Sequence, residues 1–434
     1  MSTTSAVGQA AAASAPARRL NSPFQILTAS LIGTTIEFFD FYVYATAAVL
    51  VFPTLFFPSS DPVTALLASF ATFSIAFFAR PIGALVFGHF GDRIGRKKTL
   101  IAALLTMGIS TMVIGMLPSY HQAGVAAPLL LALCRFGQGF GLGGEWGGAL
   151  LLATENATEK NKSWYGMFPQ LGAPVGLFLA SGVFWVLMHF ISQDALVSWG
   201  WRVPFLASAL LFAVGLWVRF SITETPEFEA AAKKNEQVAV PVMELFRHHK
   251  RSLFLGIFLG LITFVMFYIG SAYLLSYNVK TAGMPFTEAL TVQLYSSIVF
   301  GLSTIAAGLL GDKLGRRNVL IGTAVATGIF SFLVSPLLTA GTAGIFAFAL
   351  LGMLIFGVNY GVMGTALAAP FPTRVRYTGS SIAFNVSGIL GASLAPYIAT
   401  WLQIHYGLAA VGYYLLAAAL ISLYCMIVSR SESL

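Results

Sequence analysis

The apolar residues of this chain neither alternate nor keep to one helical face. They run on for 20 or more positions, and the polar residues collect in short stretches between the runs. Such runs predict membrane-spanning helices, because a hydrocarbon core about 30 Å thick needs roughly 20 helical residues. Barrel strands would alternate apolar and polar positions instead. Twelve runs can be marked, at about 24–52, 63–87, 99–117, 127–153, 164–190 and 201–222, then 252–278, 288–310, 318–338, 344–367, 379–402 and 408–428. The expected fold class is an all-α membrane protein with twelve transmembrane helices in two six-helix bundles. The divisions are a disordered tail at 1–23, bundles at 24–222 and 252–434, and a charged linker at 223–251 with room for an amphipathic surface helix. The Ala-rich tail precedes Arg18 and Arg19, the reverse of a cleavable signal, in which basic residues come first.

Composition agrees with that pattern. Of 434 residues, 57% are hydrophobic and only 9% charged, against roughly a quarter charged in soluble domains. The net charge of +8 does not indicate nucleic acid, since the basic residues are scattered over short loops. With twelve spans both termini share one side. Arg93, Arg96, Lys97, Lys98, Lys160, Lys162, Lys313, Arg316, Arg317, Arg374 and Arg376 fall on that side, while the other offers little beyond Arg202 and Lys280. The positive-inside rule makes the common side cytoplasmic. Cys134 and Cys425 sit inside apolar runs and suggest no disulfide. The six histidines are dispersed, so no metal, cofactor or enzymatic centre is expected.

One stretch occurs twice. Gly88-His-Phe-Gly-Asp92-Arg93-Ile-Gly95-Arg96 lies between the second and third runs, and Gly308-Leu-Leu-Gly-Asp312-Lys313-Leu-Gly315-Arg316 lies between the eighth and ninth. A second echo pairs Leu171-Gly172-Ala-Pro174 with Leu390-Gly391-Ala-Ser-Leu-Ala-Pro396. Two repeats with a site between them near the midplane is a transporter arrangement. The doubled basic stretch resembles the loop motif of the major facilitator superfamily. The resemblance implies conformational latches built on Gly88, Asp92, Arg93, Gly95, Arg96, Asp312, Gly315 and Arg316.

Charge deep in a membrane is costly and usually functional. The second half has none deep within its runs. The first half has Glu37, Asp40, Arg80, Arg135 and Glu145, which places proton chemistry in the N-terminal bundle. At about 1.5 Å per residue, Asp40 lies roughly 21 Å and Arg135 roughly 25 Å from the inner ends of their runs. Depth therefore allows Asp40 to meet Arg135, and Arg80 to meet Glu37 or Glu145. Permanent structural ion pairs are the alternative. Gly139, Gly143 and Gly147 are four apart and leave one helix face open to a close neighbour.

Glu37-Phe-Phe-Asp40-Phe41, Arg80-Pro81-Ile-Gly83, Gln138-Gly139 with Gly143-Gly-Glu-Trp-Gly-Gly148, and Gly200-Trp-Arg202-Val-Pro204 look like the metabolite:H⁺ symporter family. The resemblance spans the whole chain and implies a carrier of organic acids such as shikimate, 2-oxoglutarate and citrate, or of zwitterions such as proline and betaine. The zwitterion porters have a long charged C-terminal extension, whereas this chain ends shortly after the twelfth run. The first expectation is a proton-coupled importer of a small organic acid in the bacterial inner membrane, working as a monomer. A zwitterion symporter and an exporter are the alternatives. Asp40, Glu37 and Glu145 are the candidate proton carriers. Arg135, Arg80, Gln138, Tyr44, Gln170, Asn359 and Asn385 are the candidate substrate contacts.

Overall fold

The computed structural model describes residues 23–59, 61–94, 96–143, 150, 153, 154, 157–221 and 241–429. Among them, helices follow one another almost without interruption. The spans are α1 Pro23–Leu50, α2 Pro62–Ile94, α3 Arg96–Ile114, α4 Ala126–Leu142, α5 Lys162–Phe190 and α6 Arg202–Ser221, then α7 Lys250–Thr281, α8 Phe286–Leu314, α9 Arg316–Ser331, α10 Gly341–Ala368, α11 and α12 Leu408–Val428. The helix α11 comes in three stretches, Thr373–Gly388, Ile389–Ser393 and Ala395–Tyr406.

Packing follows the repeat. The helix α1 lies on α5 and α6, and α4 lies on α2 and α3. In the second half α7 lies on α11 and α12, and α8 lies on α10. The halves meet along two seams, α5 with α8 and α2 with α11. Close approach of α2 and α4 needs the glycines. A Cβ on Gly139 would strike the Ala76 carbonyl, and one on Gly143 the Arg80 carbonyl. Gly147 and Glu145 lie outside the described residues.

The structure shortens the connections expected at the doubled motif. The helix α8 runs on to Leu314 and α9 starts at Arg316, so the turn is Gly315 alone, at φ +83°. That left-handed conformation favours glycine. Likewise α2 reaches Ile94 and α3 starts at Arg96. Charged residues end the apolar pattern, but they do not end a helix that continues into water. Of the first copy, Gly95 and the side chains of Gly88, Asp92, Arg93 and Arg96 lie outside the described residues.

Several runs, the seventh, ninth and eleventh among them, are interrupted where the sequence reads as continuous. The ninth breaks after Ser331 and resumes as Val334–Thr339. Pro336 has no N–H to continue the ladder there. The eleventh has a π-helical turn at Ile389–Ser393, just before Pro396. In the linker, Pro241–His248 is a short helix with Leu245 buried and Met243 and Phe246 exposed.

Candidate functional site

Aromatic rings set up the centre of the N-terminal half. Phe41 on α1 packs edge-on against Phe73 and Phe77 of α2, and Tyr44 packs on Phe52. Arg135 enters this cage from α4. Its guanidinium carbon lies 4.1, 4.0 and 4.8 Å from the ring centres of Phe41, Tyr44 and Phe73. Its Nε donates to the Phe73 carbonyl at 3.4 Å and its Nη1 to Gln138 Oε1 at 3.0 Å. A desolvated cation–π contact is worth roughly 2 kcal/mol. Three of them, roughly 6 kcal/mol if additive, more than offset the roughly 2.5–3.5 kcal/mol penalty for placing arginine at mid-membrane. The cage therefore holds a buried cation with no carboxylate partner among the described residues, and leaves Nη2 with no hydrogen bond.

Arg80 approaches the same cage from the motif end. Its guanidinium carbon is 4.6 Å from the Phe41 ring centre and 4.8 Å from that of Phe77, and its Nε is buried without a hydrogen bond. Arg80 and Glu37 line one cavity, with Phe38, Ser381, Phe384 and Asn385, in an envelope of ≈ 450 Å³ that includes open solvent. Its walls come from α1, α2 and α4 on one side and α11 on the other. A second cavity of ≈ 240 Å³ lies between α1, α5, α7 and α8, lined by Tyr42, Thr46, Tyr268, Ser271 and Gln293 among others.

The direct contact that depth allows between Asp40 and Arg135 is not made. Arg135 donates to Gln138, Gln138 Nε2 donates to Thr111 Oγ1 at 2.8 Å, and Thr111 Oγ1 lies 3.2 Å from Asp40 Oδ2. The cation is drawn into the ring cage, and two neutral side chains fill the gap. Asp40 is buried, and its Oδ1 has no hydrogen bond.

The other candidates divide. Asn385 faces the cavity. Gln170 donates to the Tyr360 carbonyl at 3.0 Å and so bridges α5 and α10. Tyr44 donates its hydroxyl to Thr72 at 2.9 Å while its ring supports Arg135. Asn359 is held at both ends of its amide, by Thr263 at 2.7 Å and Thr323 at 2.9 Å, and so ties α10 to α7 and α9. Thr111, Ser381, Tyr268 and Gln293 were absent from the sequence-based candidates. A single hydroxyl or amide in an apolar run is ordinary. Only the fold shows which ones face Asp40 or a cavity.

The α5–α8 seam is closed at both ends. At the motif end, Asp312 accepts hydrogen bonds from the backbone N–H of Ser163 at 2.9 Å and of Trp164 at 3.1 Å, capping the start of α5. A Cβ on Gly311 would meet the Ser163 side chain, so the motif glycine allows this approach. At the opposite end Trp185 Nε1 donates to Thr291 Oγ1 at 2.9 Å. One helix pair, α5 and α8, is thus fastened at both ends.

Known proteins share this plan. Residues 30–396 match the Major Facilitator Superfamily. The inner membrane metabolite transport protein YhjE of Escherichia coli K12 is 53% identical over 417 residues, 95% of each chain. The shikimate transporter of the same organism is 36% identical over 406 residues, 91% of each chain. Its proline/betaine transporter is 34% identical over 410 residues, 92% of this chain and 81% of that one. A crystal structure of a D-xylose–proton symporter superposes with a TM-score of 0.73 at 19% identity, covering 92% of this chain and 97% of that one. The chain belongs to the major facilitator superfamily, with the twelve-helix fold of that superfamily, and is a membrane-embedded transporter of small molecules rather than an enzyme.

Proposed function

We propose that this transporter is a proton-coupled symporter that imports a small carboxylate metabolite across a bacterial inner membrane by alternating access. The motif end faces the cytoplasm in this reading, because the basic loop residues gather there. The observation that carries it is the pair of buried arginines on Phe41. Each has a nitrogen without a hydrogen bond, and Asp40 lies close by but is not ion-paired to Arg135. Guanidinium groups grip carboxylates through two parallel hydrogen bonds. A substrate carboxylate would supply the acceptor that Arg135 Nη2 lacks, and a proton on Asp40 would remove the nearby negative charge that repels it. Protons are the coupling ion, and no other cofactor is required.

A relative named for shikimate and one named for proline and betaine are of nearly equal identity. One feature favours the zwitterion as a second reading: Glu37 lines the same cavity as Arg80, so both charges of a zwitterion would find a partner. Purified protein in liposomes separates the two. A pH gradient, acid outside, should drive accumulation of a hydroxylated cyclic carboxylate but not of betaine or proline. Accumulation of betaine or proline alone would establish the second reading. Flux that never exceeds equilibration would overturn coupled transport.

A further inference from the structure

The link between Asp40 and Arg135 holds more information than a contact, because its donors and acceptors can be assigned one by one. Arginine only donates. The Gln138 amide oxygen therefore faces Arg135 Nη1, and its NH₂ group must face Thr111 and donate to the hydroxyl oxygen. Thr111 is left with one proton and one lone pair. Two neighbours remain for them, the Met107 carbonyl at 3.0 Å and Asp40 Oδ2 at 3.2 Å. The carbonyl can only accept. If it takes the Thr111 proton, the remaining lone pair faces Oδ2, and only a proton on Oδ2 completes that contact. All four hydrogen bonds coexist when Asp40 is neutral. When Asp40 is ionised, the Thr111 proton turns from Met107 to Oδ2. Met107 O then keeps only its bond within α3.

We infer that Thr111 is the positioning residue for the coupling proton. Its hydroxyl accepts from neutral Asp40 and donates to ionised Asp40, so one oxygen holds Oδ2 in both states. The proton can arrive and leave without displacing Gln138, and the Arg135 arm stays in its ring cage. This rests on the reading of Asp40 as the proton carrier. Titratable side chains on α1 and on the helices that meet it at the ring cage are Arg135 and Cys134 on α4, Arg80 on α2, Tyr268 on α7, and Glu37, Tyr42 and Tyr44 on α1 itself. Among the described side chains, α5 and α6 add Lys162, Tyr165, His189 and Arg202, all in the end turns of their helices. None of these donates a hydrogen bond to Asp40, whose one bonded neighbour among the described residues is Thr111.

The test pairs a spectroscopic and a transport measurement. In lipid nanodiscs, the infrared C=O stretch of protonated Asp40 is identified by its disappearance in Asp40→Asn. Thr111→Val and Thr111→Ala both lose the hydroxyl, one keeping the volume and one reducing it. The band should move to higher frequency in both, because the carboxyl loses its acceptor, and should stay in place in Thr111→Ser. A hydrogen bond to a charged group is worth more than one to a neutral group. Loss of the hydroxyl therefore favours the protonated form. The alkaline limb of the pH–uptake profile should move up by about one unit, a tenfold change in proton concentration, in Val and Ala but not in Ser. An Asp40 band that ignores all three substitutions overturns the role of Thr111 and leaves Asp40 as carrier. So does a Ser variant that behaves like Val. If no protonated Asp40 band appears at any pH, the proton-carrier reading itself fails.

Discussion

Arg80 and Arg135 share one aromatic ring: their guanidinium carbons lie 4.6 and 4.1 Å from the centre of Phe41. Two like charges around one side chain repel each other, and each has a nitrogen without a hydrogen bond. An anion bound beside both would relieve the repulsion and complete the missing bonds. That is why we propose a carboxylate as the substrate group for this place.

Arg135→Lys keeps the charge and removes the fork. A lysine ammonium is a compact point charge and cannot give paired in-plane donors. Charge-assisted hydrogen bonds are worth roughly 1.5–3 kcal/mol each. The KM for the carboxylate should rise roughly 10- to 100-fold on that scale, while protein yield changes little. An unaltered KM would remove Arg135 from the binding role and leave Arg80.

Asp312 and Trp185 fasten opposite ends of the same seam, so their variants should act with opposite sign. Asp312→Asn keeps an acceptor oxygen for the start of α5 but loses the charge facing the helix terminus. That charge is worth about 0.3–1 kcal/mol, so the inward-open population should rise roughly two- to fivefold. Cysteine probes placed near Gly315 should label faster, and unchanged labelling would show that Asp312 is no latch.

Trp185→Phe removes the N–H donated to Thr291 and keeps an aromatic ring. A typical net hydrogen bond is about 0.5–1.5 kcal/mol, so the outward-open population should rise roughly two- to tenfold. Labelling near Gly283, at the turn between α7 and α8, reads this change. Slower labelling there would contradict the assignment of this contact as the outer fastening.

Much of this was legible from residue types alone. Apolar run length marks the spans, and the doubled stretch Gly91-Asp-Arg-Ile-Gly95 and Gly311-Asp-Lys-Leu-Gly315 marks where α2 turns into α3 and α8 into α9. Buried charge picks out Asp40, Arg80 and Arg135, because almost any such residue in an apolar run stands out. The partners of those charges were not legible. Depth along a helix places Asp40 and Arg135 at the same level, but it does not fix azimuth. The side-chain direction of Arg135 is set by three rings on two other helices. Asn359 shows the same limit from the other direction. A lone amide in an apolar run suggests a cavity, yet Thr263 and Thr323 occupy both of its ends. Its neighbours, two ordinary threonines, give no sign of this in the sequence.

The proposed coupling proton gives the most discriminating substitution. Asp40→Asn preserves shape and mimics the neutral acid permanently. The Asn side chain can still meet Thr111 through its amide, so the Gln138–Arg135 arm should stay in place and the substrate carboxylate should still bind. A carrier locked in the proton-loaded form can bind and release substrate on both sides. It cannot return the proton, so the gradient no longer does work. Proton and substrate binding are linked through one free energy, and removing the titration removes that linkage. Asp40→Asn should therefore retain substrate-for-substrate exchange in preloaded vesicles and lose uphill accumulation under an imposed pH gradient. The residual exchange should also become independent of pH across the range in which the unaltered protein responds. Full accumulation in this variant would move the proton to Glu37 or Glu145. Loss of exchange as well would mean that Asp40 serves structure or binding rather than coupling.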